Sequence, residues 1–253
     1  MQIALEFPPV SHLLEWPDIL FKGTAFGVNK VVLIFWAGVI LTLGLFFLAG
    51  KRQLVPTGIQ NVAESAVNFI QESVIMQTMG REGMHYLPFL LAMFFFVFFL
   101  NIFEVIPGIQ FPGNSRMAVP AMLAGIVWLI YNFVGIKHQG LKYFANVLFP
   151  PGVPMALKPL VALIEFVSTF FVRPFSLAVR LFANMLAGHL LLVTFAVLTA
   201  ALWSKSALAL IVWAPFVVLI GLTGFEILVA FLQAFIFTIL TAVYIGGAAH
   251  PEH

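Results

Sequence analysis

The chain has 253 residues, 62% of them apolar and only 9% charged, against the ~45–50% and ~25% usual for soluble domains. Its 12 basic and 10 acidic side chains cannot cover the surface of a soluble domain this long, and the mean hydropathy of +1.08 agrees, so a soluble enzyme is excluded and an all-α polytopic membrane protein is expected. The absence of cysteine removes disulfides, iron–sulfur clusters, thiolate zinc sites and cysteine nucleophiles, and a net charge of +2 offers no footprint for nucleic acid.

Residues 1–30 carry Glu6, Glu15, Asp18 and a Pro8-Pro9 break, where a secretory leader would run from basic to apolar. They read as a retained outer segment. A first span is predicted over 31–50, stopped by Lys51-Arg52. The stretch 56–79 sets Ile59, Val62, Ala63, Ala66, Ile70 and Val74 at helical spacing, with Gln60, Asn61, Glu64, Asn68, Gln71 and Glu72 opposite. This is an amphipathic helix too polar to span, expected on the membrane surface; the alternative is a helix packed on a partner outside the bilayer. Second and third spans follow at 86–106 and 117–137, with Phe94–Phe99 read as lipid-facing bulk.

Two longer apolar stretches, 157–203 and 207–247, complete a single membrane domain of about five embedded helices plus one amphipathic surface helix. At ~1.5 Å per residue each exceeds about 60 Å, while the hydrocarbon core is ~30 Å thick. They are therefore expected to form a long, strongly tilted hairpin, with Pro174 and Pro215 as bend points. Five spans put Lys51, Arg52, Arg81, Lys137, Lys142 and Lys158 on one side and Lys22, Lys30, Arg116 and Lys205 on the other. That bias places the N-terminus outside and the C-terminus in the cytoplasm. His12, His85, His138, His250 and His253 fall near edges or tails and read as solvated.

Charges inside a membrane cost ~2.5–3.5 kcal/mol each on insertion scales, so Glu165, Arg173, Arg180, His189 and Glu226 within the last two helices mark a functional site or, alternatively, a structural ion pair. Arg173, Ser176, Arg180, Asn184 and Ala187 recur at helical spacing and share one stripe. His189 lies nine residues past Arg180, ~180° round and ~13 Å along. In an antiparallel hairpin turning at 206–207, Arg180 falls level with Gln233, and His189 with Glu226. Two polar layers result: Arg180, Asn184 and Gln233 deep, His189 and Glu226 nearer the outer face.

Arginine stays protonated, so Arg180 suits a fixed electrostatic gate, whereas histidine and glutamate can exchange protons. Asn101 and Glu104, at the outer end of the second span, extend that layer or cap the surface. Glu165, Ser168 and Thr169, with Arg173, Ser176 and Tyr244, are candidates for an inner half-channel; interfacial packing is the alternative for Glu165, and an interfacial anchor for Tyr244.

The segments SLAVRLFANMLAGH (176–189) and LQAFIFTILTAVY (232–244) resemble the two signature helices of subunit a of F-type ATP synthases, and NIFEVIP (101–107) resembles that family's second-span end. The resemblance covers nearly the whole chain. It implies a proton-translocating, non-catalytic stator subunit beside a rotating ring of c subunits, held by b-type peripheral stalk subunits. The expected setting is the lipid bilayer of an energy-coupling membrane, most simply a bacterial plasma membrane, with no cofactor. Arg180 would be the arginine facing the ring carboxylates, Asn184 and Gln233 its polar neighbours, and His189 and Glu226 the two coupled outer-channel positions. Some members place that carboxylate on the earlier helix and the histidine on the later one; here the order is exchanged. Arg173 falls where a basic residue is usual, and Ala183, Ala187 and Gly188 would admit a closely packed partner.

The competing class is a stand-alone ion channel or secondary transporter, which would favour internal repeats that this chain lacks. A haem-binding subunit would want histidines paired across spans, and only His189 lies well inside one.

Overall fold

The computed structural model describes residues 27–49, 58–149 apart from Pro107, Gln110, Pro112 and Ser115, 153–203 and 211–249. The N-terminal segment to residue 26 with His12 and Lys22, the Lys51-Arg52 stop, Lys205 and the turn expected at 206–207, and the tail with His250 and His253 lie outside these. Among the described residues every regular element is helical, the main ones being α1 (Lys30–Ala49), α2 (Ile59–Ile70), α3 (Leu87–Ile102), α4 (Ala118–Gln139), α5 (Lys142–Leu148), α6 (Lys158–Val167), α7 (Arg173–Leu202) and α8 (Trp213–Ala249). Among the described residues five continuous helical stretches are long and apolar enough to cross a membrane. In lipid this follows from the backbone, because each helix satisfies its own N–H and C=O groups.

The amphipathic segment forms α2 and continues through a π turn, Gln71–Ile75. Ala63, Ile70, Val74 and Ile75 are buried, whereas Ile59 and Val62, at its start, are exposed. Helix α3 is the centre of the molecule, packed by α1, α2 and α8. This corrects the reading of Phe94–Phe99 as lipid-facing. Phe94 and Phe95 are only 4% and 8% exposed, and Phe94 packs against Phe69 and Phe231 with ring centroids 6.1 and 5.7 Å apart. A helix apolar all round carries no sign of which side meets lipid, so its neighbours decide.

Helix α3 ends at Ile102, four residues before the predicted boundary. Glu104 N–H donates to the Asn101 carbonyl and Val105 N–H to that of Ile102, tightening the chain into a turn. The Asn114 side chain then donates to Asn101 Oδ1 at 2.9 Å and closes the loop. Helix α4 stops at Gly140, whose φ of 62° turns the chain into α5. There the Tyr143 ring lies so close over Gly135 that a Cβ at residue 135 would overlap it.

Helices α6 and α7 are joined by a second π turn, Ser168–Val172, making one unbroken stretch of 48 residues from Met155. Its length is about 70 Å. Pro174 falls in the first turn of α7, directly after the π turn. Pro215 is the third residue of α8 and so does not bend it: a proline in a first turn removes no helical hydrogen bond. Helix α7 packs on α4 and α8, and α8 also packs on α3 and α4, while α6 buries no residue.

Candidate functional site

The α7–α8 register is fixed by a contact at Gly188. A Cβ placed there would lie 2.5–2.6 Å from the carboxylate atoms of Glu226, so the acid rests directly on the α7 backbone, one residue from His189. Both side chains are buried, at 6% and 7% exposure, and the turn after α3 brings Glu104 beside them at 5%. Glu104 Oε1 lies 3.7 Å from His189 Nδ1, making Glu104 the carboxylate within ion-pair reach of the imidazole. It is also near enough to Glu226 for the two charges to repel. At 3.7 Å the His189–Glu104 contact is longer than a direct hydrogen bond. Glu104 Oε1, Asn101 Nδ2 and Asn114 Oδ1 are all buried with no hydrogen-bond partner among the described residues.

Sequence reasoning missed three members of this cluster. Lys30, counted only as a loop charge, donates from Nζ to the Ile109 carbonyl at 2.8 Å, stands 5.4 Å from the Phe111 ring centroid, and acts electrostatically on His189. Phe111 meets the His189 ring edge-on at 6.4 Å. Asn114 holds Asn101. No spacing in the sequence connects residues 30, 111 or 114 to residue 189; the connecting loop folds back over the end of α3.

The deep layer is split between two faces. Arg180 points outward, in an exposed stripe with Ser176, Ala183, Ala187 and Leu191. Asn184 is half-buried beside it, and Gln233 is buried within the bundle, its Nε2 without a hydrogen-bond partner among the described residues. Among the described residues no carboxylate lies within 4.0 Å of the Arg180 guanidinium. A permanent cation thus stands on an outer face flanked by side chains no larger than a methyl group on the next two turns.

The inner candidates gather where α4, α7 and α8 meet. The Arg173 guanidinium lies 5.6 Å from the Tyr244 ring centroid, and Tyr244 is 5.8 Å from Tyr131. The Tyr131 hydroxyl donates to the Thr169 carbonyl at 2.6 Å, and that of Tyr143 donates to Asn132 Oδ1 at 3.3 Å. Thr169 Oγ1 is buried and has no hydrogen-bond partner among the described residues, whereas Glu165 and Ser168 are half-buried on the neighbouring turn. Tyr131, Asn132 and Tyr143 were not singled out from the sequence, where they read as ordinary members of a span and its edge. Among the described residues no group of three or more His, Asp or Glu could hold a metal ion.

The family model described as ATP synthase A chain matches residues 31–246. A protein of Frankia alni named ATP synthase subunit a is 43% identical over 246 residues, covering 94% of this chain and 84% of that protein. Proteins of the same name from Rhodopseudomonas palustris strain BisB5 and Rhodococcus erythropolis are 42% and 39% identical. The first aligns over 96% of this chain and 96% of its own length, the second over 93% and 88%.

Proposed function

The chain belongs to the ATP synthase A chain family, the proton-translocating membrane subunits of that enzyme, and from this premise we propose a division of labour among its residues. Glu104, His189 and Glu226, with Asn101, form an outer half-channel. Two carboxylates and an imidazole within one buried cluster can pass a proton along, and the unpartnered atoms of Glu104 and Asn101 suit bridging by water. The proton neutralises a carboxylate on a c subunit, because only the neutral form crosses a lipid-facing arc cheaply. After nearly a full turn of the ring it leaves through an inner half-channel beside Glu165, Ser168, Thr169, Arg173, Ser176 and Tyr244.

Arg180 separates the two paths, with Asn184 and Gln233 as its polar neighbours. The observation that carries this reading is the outward stripe in which the cation lies between Ser176, Ala183 and Ala187, with no carboxylate of the described chain in reach. A partner's helix can approach such a face closely, and its carboxylate would complete the charge pair. Each 100 mV delivers ~2.3 kcal/mol per proton, so many ring sites are needed per ATP. Catalysis of ATP formation lies in other subunits. The N-terminus is outside and the C-terminus cytoplasmic, in a bacterial plasma membrane, and b-type stalk subunits hold the chain still.

The test is ATP-driven proton pumping by membrane vesicles carrying Arg180→Ala at normal levels of assembled enzyme. Pumping is expected to be abolished; normal pumping would remove Arg180 from its role.

A further inference from the structure

The π turn between α6 and α7 has a hydrogen-bonding defect that another helix repairs. Arg173 N–H donates to the Ser168 carbonyl, five residues back. Continued, that pattern would run next from residue 174 to the Thr169 carbonyl, but residue 174 is proline and has no N–H. In a membrane a carbonyl left open costs more than in a loop bathed by water, and a neighbour must satisfy it. The Tyr131 hydroxyl of α4 does so at 2.6 Å, from a side chain 1% exposed onto a residue 1% exposed.

What the turn changes is the direction in which α7 faces. Leu160, Leu163, Ile164 and Val167 form the exposed face of α6. An uninterrupted repeat of 3.6 residues would carry that face onto Ala178, Leu181, Met185 and His189. All four are buried, and the outward face of α7 is instead Ser176, Arg180, Ala183 and Ala187. One extra residue in a turn rotates everything after it by ~100°. The new neighbours α4 and α8 supply the remainder of the change.

We infer that Tyr131 is a positioning residue: its hydroxyl replaces the N–H that Pro174 lacks, holds the π turn, and so sets the azimuth that turns Arg180 toward the ring and His189 toward Glu104. Its importance for pumping rests on the role proposed for Arg180; its control of azimuth does not.

The test uses the complete ATP synthase in membranes. The chain has no cysteine, so single cysteines at Ser176, Ala183 or Ala187 (outward) and at Ala178 or Met185 (buried) can be cross-linked directly to one on the outer helix of a c subunit. Cross-linking is expected only from the outward set. With Tyr131→Phe the outward signal should fall, and pumping should fall by about tenfold, as for a buried acceptor left open. Adding Pro174→Ala restores a backbone donor and should recover both. Loss without recovery in the double variant would reduce Tyr131 to a packing residue, and unchanged cross-linking in Tyr131→Phe would overturn the inference. If Tyr131→Phe does not accumulate, recovery of subunit levels by Pro174→Ala is the supporting result and failure to recover the opposing one. Pumping that survives Arg180→Ala while cross-linking still follows Tyr131 would sink the gate and leave the azimuth control standing.

Discussion

Gly188 offers the sharpest perturbation of the outer cluster. In Gly188→Ala the new methyl group would begin 2.5 Å from Glu226 Oε1 and 2.6 Å from its Cδ and Oε2. Ordinary carbon contacts are ~3.5 Å or longer, so the carboxylate must retreat by roughly 1 Å. The clash falls on the far end of a flexible side chain, so the fold tolerates it. Crowding costs ~1–3 kcal/mol, and alanine in a helix interior returns ~1 kcal/mol over glycine. Proton transfer is less forgiving, because 1 Å of misplacement can cost about a hundredfold where groups are prepositioned. ATP-driven quenching of a pH-sensitive dye in inverted vesicles should therefore fall at least about tenfold, with subunit levels unchanged on immunoblots. Gly125→Ala is the control: it lies within α4, nothing is within 4 Å of its Cβ position, and pumping should be normal. Full-rate pumping by Gly188→Ala would show that the seat of Glu226 on α7 has no part in the proton path.

Arg180→Lys should fail to pump nearly as completely as Arg180→Ala, since a point ammonium cannot replace a planar, delocalised guanidinium; pumping near the wild-type rate would refute this. Truncating His189 or Glu226 should slow proton flux, and exchanging the two should give more activity than the worse single variant. Simple additivity in that double-mutant cycle would separate their roles. The stretch Met155–Leu202 and helix α8 should lie far from the membrane normal, because ~70 Å and ~55 Å of helix exceed the ~30 Å hydrocarbon core. Oriented-sample spectroscopy or an experimental structure of the assembled enzyme that put both within ~20° of the normal would exclude the tilted hairpin.

Much of this protein was legible one residue at a time. Hydrophobic length marked the five spanning stretches, because a bilayer has a fixed thickness and a helix a fixed rise. The same constant rise, applied to an antiparallel hairpin, was enough to set Glu226 level with His189, and the structure seats the acid on the adjacent Gly188. Helical periodicity also drew Ser176, Arg180 and Ala187 into one stripe. Each of these follows from local geometry, which repeats along the chain and needs no knowledge of neighbours.

Tertiary structure decided the rest, because those features depend on what stands alongside. Phe94 and Phe95 belong to a helix apolar on every side, and only the packing of α1, α2 and α8 makes them core. Glu104 became the partner of His189 because the α3 helix stops at Ile102 and the following loop, held by Asn114, folds back. Lys30 and Phe111 arrive there across sequence separations that no periodicity encodes. The π turn is the deepest case. Pro174 was visible in the sequence as a bend point, but an inserted residue is stable there only because Tyr131, on another helix, donates the hydrogen bond that proline cannot.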